Sequence, residues 1–208
     1  MQVIKHRCNT LSSIEFLDPN FGAEIDIRDH DGVLILSHDP FLPHDNVIEL
    51  ELFLQNWKAL GTLILNVKSE GLEIKCIELL VKYKISNWFF LDLSMPHFIK
   101  YSKIAFERII KGFSGENMAV RFSDKEPIAY ALNFKDRVRW VWIDWFEEIV
   151  ISKSNYDELK GAGFKLCLVS PELQDKGPEF ISRYREHLHK HNLVADAVCT
   201  KMPELWLH

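Results

Sequence analysis

The segment TLILNVKSEGLEIKCIELLVKYKISNWFFLDL, from Thr62 to Leu93, contains the unit that decides the fold. It opens with a β-rich run at Thr62–Lys68 and closes with a second such run at Trp88–Leu93. The connection between them looks helical over Gly71–Tyr83. A strand, a helix and a second strand in this order predict a parallel βα unit.

The same alternation runs along the whole chain. Further strands are predicted at Val3–Arg7, Ala23–Arg28, Met118–Phe122, Trp140–Trp145, Lys165–Val169 and Ala197–Thr200. Further helices are predicted at Ile48–Leu60, Pro96–Ile110, Pro127–Phe134, Asn155–Gly161 and Pro178–His191. The first connection, from Cys8 to Gly22, is short and shows no convincing helix, and Val33–Leu36 is predicted to add a small antiparallel strand.

Eight β-runs with helices between them predict an α/β fold, a small (β/α)₈ TIM barrel with a short, helix-poor first connection, over the single domain 1–208. An open, doubly wound sheet is the alternative. The barrel is favoured because charged residues lie at the C-terminal ends of the runs, where the active sites of such barrels are found. These residues are His6, Asp26, Lys68, Asp92, Arg121 and Asp144.

Composition narrows the class of protein. The 208 residues are 47% hydrophobic with a net charge of -5, which argues against general nucleic-acid binding. The four cysteines show no zinc spacing, so we expect reduced thiols. Neither a targeting leader nor a membrane-spanning run is recognisable, so we expect a cytoplasmic protein without stable membrane insertion. The sequence leaves the oligomeric state open.

Two carboxylates share one face of the second predicted strand. Side chains alternate along a strand, so Glu24, Asp26 and Arg28 point to the same side. Such acids can bind Mg²⁺ or Ca²⁺, which prefer oxygen ligands. The alternative is a solvated edge strand or an ion-pair ladder with Arg28.

Polar residues at neighbouring strand ends extend this pattern. His6 and His38 flank the acidic pair and can act as general base and general acid near neutral pH. Asp39 either orients His38 or begins a turn. Asn66 offers a carbonyl oxygen to a cation, and Lys68 offers its charge to a phosphate.

Three later residues are further candidates for the same site. Asp92 can supply an acid to the metal, Asp144 lies among tryptophans, and Arg121 can bind a substrate phosphate. Each has the alternative role of an ion pair that caps the barrel. A sugar isomerase or epimerase would instead use Asp92, Asp144 and Glu172 as metal ligands, with His6 remote from them.

An ordered series of motifs resembles the glycerophosphodiester phosphodiesterases, within the superfamily of phosphatidylinositol-specific phospholipases C and sphingomyelinase D. The motifs are His6-Arg7, Gly22-Ala23-Glu24-Ile25-Asp26, and Asp31-Gly32-Val33 leading to His38-Asp39, with a similar closing segment at Asp196–Pro203. The sequence departs from the family pattern at four points, one of which is the shortened first connection between Cys8 and Gly22. Asn66 stands in place of a carboxylate, Cys8 replaces a glycine, and the usual Pro-Glu-Asn segment is absent.

The resemblance implies a (β/α)₈ barrel that cleaves a small glycerophosphodiester-like, sugar or lipid phosphodiester. It assigns His6 and His38 as the acid–base pair, with His6 as base in one of two possible orders. It makes Glu24 and Asp26 the ligands of a divalent cation, Mg²⁺ or Ca²⁺, with Asn66 at the third position. Arg7 and Lys68 would steady the phosphate. The open alternative is a non-catalytic barrel that binds a phosphorylated sugar or lipid headgroup.

Overall fold

The computed structural model describes residues 1–42 and 45–207. The strands are β1 (Gln2–Lys5), β2 (Gly22–His30), β3 (Val33–Leu36), β4 (Ile48–Glu49), β5 (Leu63–Val67), β6 (Trp88–Leu91), β7 (Ala119–Phe122), β8 (Trp140–Ile143), β9 (Lys165–Val169) and β10 (Ala197–Thr200). The helices are α1 (Leu11–Glu15), α2 (Leu50–Asn56), α3 (Glu73–Lys82), α4 (Met95–Glu107), α5 (Ile128–Leu132), α6 (Lys153–Gly161) and α7 (Glu179–Lys190). Across the described ranges, no helix has the length and apolar character needed to cross a bilayer.

The eight predicted strands and the antiparallel strand Val33–Leu36 are all present. β3 pairs with β2 in antiparallel register, from Ile27 opposite Leu36 to His30 opposite Val33. The alternation of apolar residues and turns therefore predicts the strands correctly, with differences of one or two residues at their ends.

Two predicted connections differ from the structure. The first connection contains α1, which begins at Leu11 after the N-cap residue Thr10. The Thr10 hydroxyl accepts from the Ser13 amide, and the Ser13 hydroxyl accepts from the Thr10 amide. This reciprocal capping stabilises a helix too short to show apolar periodicity. The helix predicted at Ile48–Leu60 spans only α2, because Ile48 and Glu49 pair with β3 instead.

Parallel ladders connect seven successive pairs among the eight main strands of the described chain. They join β1 to β2, β2 to β5, β5 to β6, β7 to β8, β8 to β9, β9 to β10, and β10 back to β1. β6 and β7 meet at a single parallel bridge between Phe90 and Met118. The Asn117 side-chain amide donates to the Trp88 carbonyl at 3.0 Å and reinforces this contact. The chain is therefore an α/β fold with a predominantly parallel sheet.

The two faces of this sheet carry separate apolar clusters. One cluster comprises Ile4, Ile64, Phe89, Leu91, Ala119, Trp140, Trp142, Cys167, Val169, Ala197 and Cys199. The larger cluster packs the other face against the helices. Because side chains alternate along a strand, Asn66 follows Ile64 on the face of the smaller cluster, and Glu24 and Asp26 pair with Ile64 and Asn66. A polar layer thus continues the smaller cluster toward the C-terminal strand ends.

All four cysteines are free, buried thiols, as the sequence predicts. Burial raises the pKa of the Cys8 thiol to about 12. Burial also raises the pKa values of Cys76, Cys167 and Cys199 far above the ordinary range of a thiol.

Candidate active site

The ends of β1, β2 and β5 bring five predicted site residues together: His6, Arg7, Glu24, Asp26 and Asn66. Arg7 has a left-handed backbone conformation with φ 55°, and its amide donates to Glu24 Oε2 at 2.7 Å. The other oxygen of Glu24, Oε1, accepts from the Asn66 side-chain amide at 3.0 Å. His6 Nε2 lies 3.6 Å from Glu24 Oε2. These five predicted site residues therefore lie close together in the structure.

Asp26 is held by Asn9, a residue that no sequence motif singles out. The Asn9 side-chain amide donates to Asp26 Oδ2 at 2.8 Å, and the Asp26 amide donates to Asn9 Oδ1 at 2.9 Å. Two positively charged side chains lie farther from Asp26. Arg7 Nε is 3.6 Å from Asp26 Oδ2, and Lys68 Nζ is 3.6 Å from Asp26 Oδ1. The only signal for Asn9 in the sequence is its position in the turn after His6-Arg7.

Among the described residues, three buried polar atoms at this site have no hydrogen-bond partner: His6 Nδ1, Asp26 Oδ1 and Asn66 Oδ1. Two of them are oxygens of the kind that Mg²⁺ and Ca²⁺ prefer. The part of the chain that the structure describes contains no group of three or more His, Cys, Asp or Glu side chains placed to bind a metal. Asn66 contributes a neutral amide oxygen to this set, beside the carboxylates of Glu24 and Asp26.

Burial is the largest influence on the pKa values of Glu24 and His6. It raises the pKa of Glu24 to about 7, and the nearby charge of Asp26 adds to this effect. Burial also lowers the pKa of His6 to about 3, assisted by the positive charges of Arg7 and Lys201. His6 is therefore a neutral imidazole near neutral pH, with a nitrogen able to accept a proton. Lys201 was not nominated from the sequence, although it lies in the closing Thr200-Lys201 segment.

His38 follows β3 on a half-exposed turn. Its Nδ1 atom lies 3.0 Å from Asp39 Oδ1, which is the orienting contact considered in the sequence analysis. This hydrogen bond to His38 lowers the pKa of Asp39. Arg28 donates from Nε and Nη2 to the His38 carbonyl at 3.1 and 3.0 Å, and from Nη1 to the Lys68 carbonyl at 3.2 Å. Arg28 thus ties together the backbones of two site segments.

The later candidates form a second polar group next to the first. Arg121 donates to Asp92 and to Asp144, and its Nε atom lies 3.3 Å from Glu126 Oε1. Although burial opposes its charge, the carboxylates of Asp92 and Asp144 raise the pKa of Arg121. A substrate phosphate at Arg121 would therefore compete with three carboxylates that are already in place.

This second group touches the first through Lys68. Lys68 Nζ lies 3.9 Å from Asp92 Oδ2 as well as 3.6 Å from Asp26 Oδ1. Asp144 Oδ1 accepts from the Gln174 side-chain amide at 2.8 Å, and burial raises the pKa of Asp144 to about 6 against the opposing charge of Arg121. The predicted site residues other than His38 are therefore joined in one polar network through Lys68.

Both carboxylate oxygens of Glu172 accept hydrogen bonds from neighbouring residues. Its Oε1 atom accepts from the Thr200 hydroxyl at 2.6 Å and from the Lys201 amide at 2.9 Å, and its other oxygen accepts from the Ser170 hydroxyl. With both oxygens engaged in this way, Glu172 is a poor metal ligand. The set of ligands that a sugar isomerase would need is therefore not favoured.

The comparisons with known proteins establish the fold. No protein-family model matches the chain, and no curated protein matches it. Among solved structures, a glycerophosphodiester phosphodiesterase from Agrobacterium tumefaciens str. C58 superposes with a TM-score of 0.64 at 15% identity, over 99% of each chain. A glycerophosphoryl diester phosphodiesterase from Parabacteroides distasonis ATCC 8503 gives 0.63 at 14% identity, over 98% of this chain and 84% of its own. At these identities, what the chain shares with both structures is the fold.

Proposed function

We propose that this chain is a metal-dependent phosphodiesterase that cleaves a glycerophosphodiester-like, sugar or lipid phosphodiester. The observation that carries the proposal is a partly buried His6 whose Nε2 atom lies 3.6 Å from Glu24 Oε2, in a cluster that also holds Asp26 and Asn66, with Arg7 and Lys68 each 3.6 Å from Asp26. These are the residue types that phosphodiester cleavage needs: a proton acceptor, ligands for a cation, and positive charge for a phosphate. The fold shared with the two phosphodiesterases supports the same activity.

We also propose that the eight main strands form a closed (β/α)₈ barrel. Seven ladders and the Phe90–Met118 bridge connect the eight main strands in a ring, which supports closure. In such a barrel, the smaller apolar cluster fills the interior and the polar layer lies at the C-terminal mouth.

Glu24, Asp26 and Asn66 would hold a divalent cation, Mg²⁺ or Ca²⁺. The unpartnered Asp26 Oδ1 and Asn66 Oδ1 atoms fit this role. When bound, the cation would neutralise charge on the phosphoryl oxygens. Two carboxylates and one neutral amide predict weaker binding than a site with three acids.

Two histidines would move the protons. His6, whose Nε2 atom lies 3.6 Å from Glu24 Oε2, takes the proton of the attacking water or neighbouring hydroxyl. His38, oriented by Asp39, donates a proton to the leaving alkoxide. With water as the attacking group, a new P–O bond forms, the ester P–O bond breaks, and the products are a phosphomonoester and an alcohol. In the alternative assignment, His38 is the base and His6 is the acid.

The test is hydrolysis of a panel of glycerophosphodiesters, lysophospholipids and sugar phosphodiesters with Mg²⁺, with Ca²⁺ and with EDTA. We expect turnover that requires a metal and that falls roughly 10²- to 10⁴-fold in His6→Ala. The matched control is His189→Ala, which removes an exposed histidine on α7. Normal turnover in His6→Ala would overturn the mechanism.

A non-catalytic binding barrel is the second candidate. It is favoured by Asn66 in the cation site and by the ion pairs that occupy Arg121. Binding of a phosphorylated ligand that is unaffected by EDTA, with no turnover of any substrate in the panel, would support it.

A further inference from the structure

A cavity of about 470 Å³ opens beside the ends of β6 and β7. It is lined by Asp92, Leu93, Met95, Phe98, Ala119, Val120, Arg121, Lys125, Glu126, Pro127 and Tyr130. Asp92 and Arg121 belong to the polar network described above, so the cavity adjoins the candidate active site.

The cavity lies where the sheet is least tightly joined. β6 and β7 share only the Phe90–Met118 bridge, and Asp92 follows β6 in a left-handed conformation with φ 59°. Ala119 belongs to the smaller apolar cluster and Val120 to the larger one. The cavity wall therefore includes residues from both faces of the sheet.

The charged groups in the wall are already paired. Arg121 contacts Asp92 and Glu126, and Glu126 also accepts from the Ser123 hydroxyl at 2.7 Å. Lys125 Nζ lies 2.7 Å from Glu147 Oε2. The remaining wall is formed largely by apolar and aromatic side chains: Leu93, Met95, Phe98, Pro127 and Tyr130. Such a surface favours a neutral, apolar occupant over a charged one.

The position of the cavity relates it to a phosphate at the candidate site. Asp92 Oδ2 is 3.9 Å from Lys68 Nζ, and Lys68 is one of the two cations proposed to hold the phosphate. A group esterified to that phosphate can therefore extend past Asp92 toward Met95 and Tyr130.

We propose that this cavity, the seam cavity, binds an alkyl chain esterified to the phosphate of the substrate. The inference rests on the proposed function, because it assumes that the phosphate sits between Arg7 and Lys68. It narrows the substrate class to phosphodiesters with at least one apolar alcohol, and it distinguishes them from diesters of glycerol or sugars alone.

Binding of product-like ligands tests the cavity without turnover. Methyl, butyl, hexyl and decyl phosphate would be titrated into the protein by calorimetry below their critical micelle concentrations. We expect the affinity to rise about fourfold for each methylene that is buried. A plateau at butyl or hexyl would indicate a short alcohol as the natural occupant, and a continued rise to decyl would indicate a lipid chain.

The key variant is Met95→Trp, which places a large ring at the cavity. Its control is Ile99→Trp on the same helix, outside the cavity lining. The two positions are equally accessible, with exposures of 48% for Met95 and 49% for Ile99. We expect Met95→Trp to reduce the butyl-to-methyl affinity ratio at least tenfold, and Ile99→Trp to leave that ratio unchanged. Tyr130→Ala, which enlarges the cavity, should shift the plateau to longer chains.

The same ratio measured as kcat/KM for methyl and butyl phosphodiesters separates the two proposals. Turnover with no dependence on chain length, and equal binding of methyl and butyl phosphate, would overturn the seam cavity while leaving the phosphodiesterase intact. Binding that rises with chain length without turnover of any diester would leave the cavity intact and overturn the enzyme. A chain-length dependence that Met95→Trp does not change would place the alkyl chain elsewhere.

Discussion

Asn66 is the residue on which the proposed cation site depends most. Its side-chain nitrogen donates to Glu24, which is a proposed cation ligand. Its side-chain oxygen has no hydrogen-bond partner among the described residues and is therefore available to bind the cation itself. In Asn66→Asp a third carboxylate would replace this amide. The change would add negative charge next to two buried acids and would remove a hydrogen-bond donor.

We therefore expect Asn66→Asp to be less stable than the wild type in EDTA and to bind Mg²⁺ or Ca²⁺ about tenfold more tightly. Thermal unfolding with increasing cation concentration measures both effects, because a ligand that binds the folded state raises the melting temperature. Asn155→Asp, an exchange of the same kind in the first turn of α6, controls for added charge. Equal cation-dependent shifts in the wild type and Asn66→Asp would contradict the proposed ligand set.

His6 makes stability depend on pH with a definite sign. Its side chain is 14% exposed, and its pKa falls from 6.5 to about 3 on folding. Between these values the unfolded chain binds a proton on His6 that the folded chain does not bind. Stability from this group is therefore present above pH 6.5 and is lost as the pH falls toward 3, by about 1.4 kcal/mol for each pH unit.

Replacing His6 by Gln should remove this contribution. Urea unfolding in EDTA at pH 7, 6, 5 and 4 gives the free energy of unfolding of each protein. We expect the wild-type values to fall more steeply below pH 6.5 than those of His6→Gln, by about one proton per molecule. The same slope in both proteins would show that the folded state protonates His6 as easily as the unfolded state does.

The sequence predicts which residues meet at the site better than it predicts their partners. His6 and Lys68 follow neighbouring parallel strands, and Glu24, Asp26 and Asn66 share one face of the paired strands β2 and β5. The contacts of Arg121 do not follow from β7 alone. They depend on Asp92, Asp144 and Glu126, which arrive from other segments.

At the scale of elements, Arg28 fixes the relative position of two segments. Its guanidinium binds the His38 carbonyl with two nitrogens and the Lys68 carbonyl with a third. A lysine cannot reproduce this planar arrangement of donors. The orientation of the turn that carries His38 therefore depends on Arg28.

In Arg28→Lys we expect a loss of about 1–3 kcal/mol in the free energy of unfolding, as typically follows the loss of hydrogen bonds to a charged group. We also expect a lower kcat, because the turn that carries His38, the proposed proton donor, is displaced. Arg183→Lys on the exposed side of α7 is the control. Unchanged kcat would show that Arg28 has no part in placing His38.

Short elements are where sequence and structure differ. α1 depends on the Thr10–Ser13 capping interaction, and β4 depends on pairing with β3. Apolar periodicity is a signal of packing over several turns, and neither element is long enough to express it. The long helices α3, α4 and α7 bury one face, and the sequence predicts each of them.

At the scale of the whole molecule, the junction between β6 and β7 has the least backbone pairing among the eight main strands of the described chain. One bridge joins them, whereas β8 and β9 share a ladder of four residue pairs. Backbone amides without a ladder partner open at lower free energy. The eight runs were readable from the sequence, but the strength of each junction was not, because it depends on registers set by contacts distant in the chain.

Hydrogen exchange measures this difference. We expect amides of Trp88–Leu91 and Ala119–Phe122 to exchange faster than those of Lys165–Val169, which has paired strands on both sides. Butyl phosphate should slow exchange in β6 and β7 more than elsewhere if it occupies the seam cavity. Uniform protection of all three strands would contradict a weak junction.

The four buried thiols make the chain its own reporter of opening. An alkylating reagent reacts with the thiolate, and both the inaccessibility and the raised pKa values of Cys8, Cys76, Cys167 and Cys199 suppress that form in the folded molecule. Cys8 lies next to the candidate site, Cys76 lies on α3, and Cys167 and Cys199 lie on β9 and β10. Mass spectrometry can follow the order in which the four thiols are alkylated. That order would show which regions of the molecule open first, with no engineered probe.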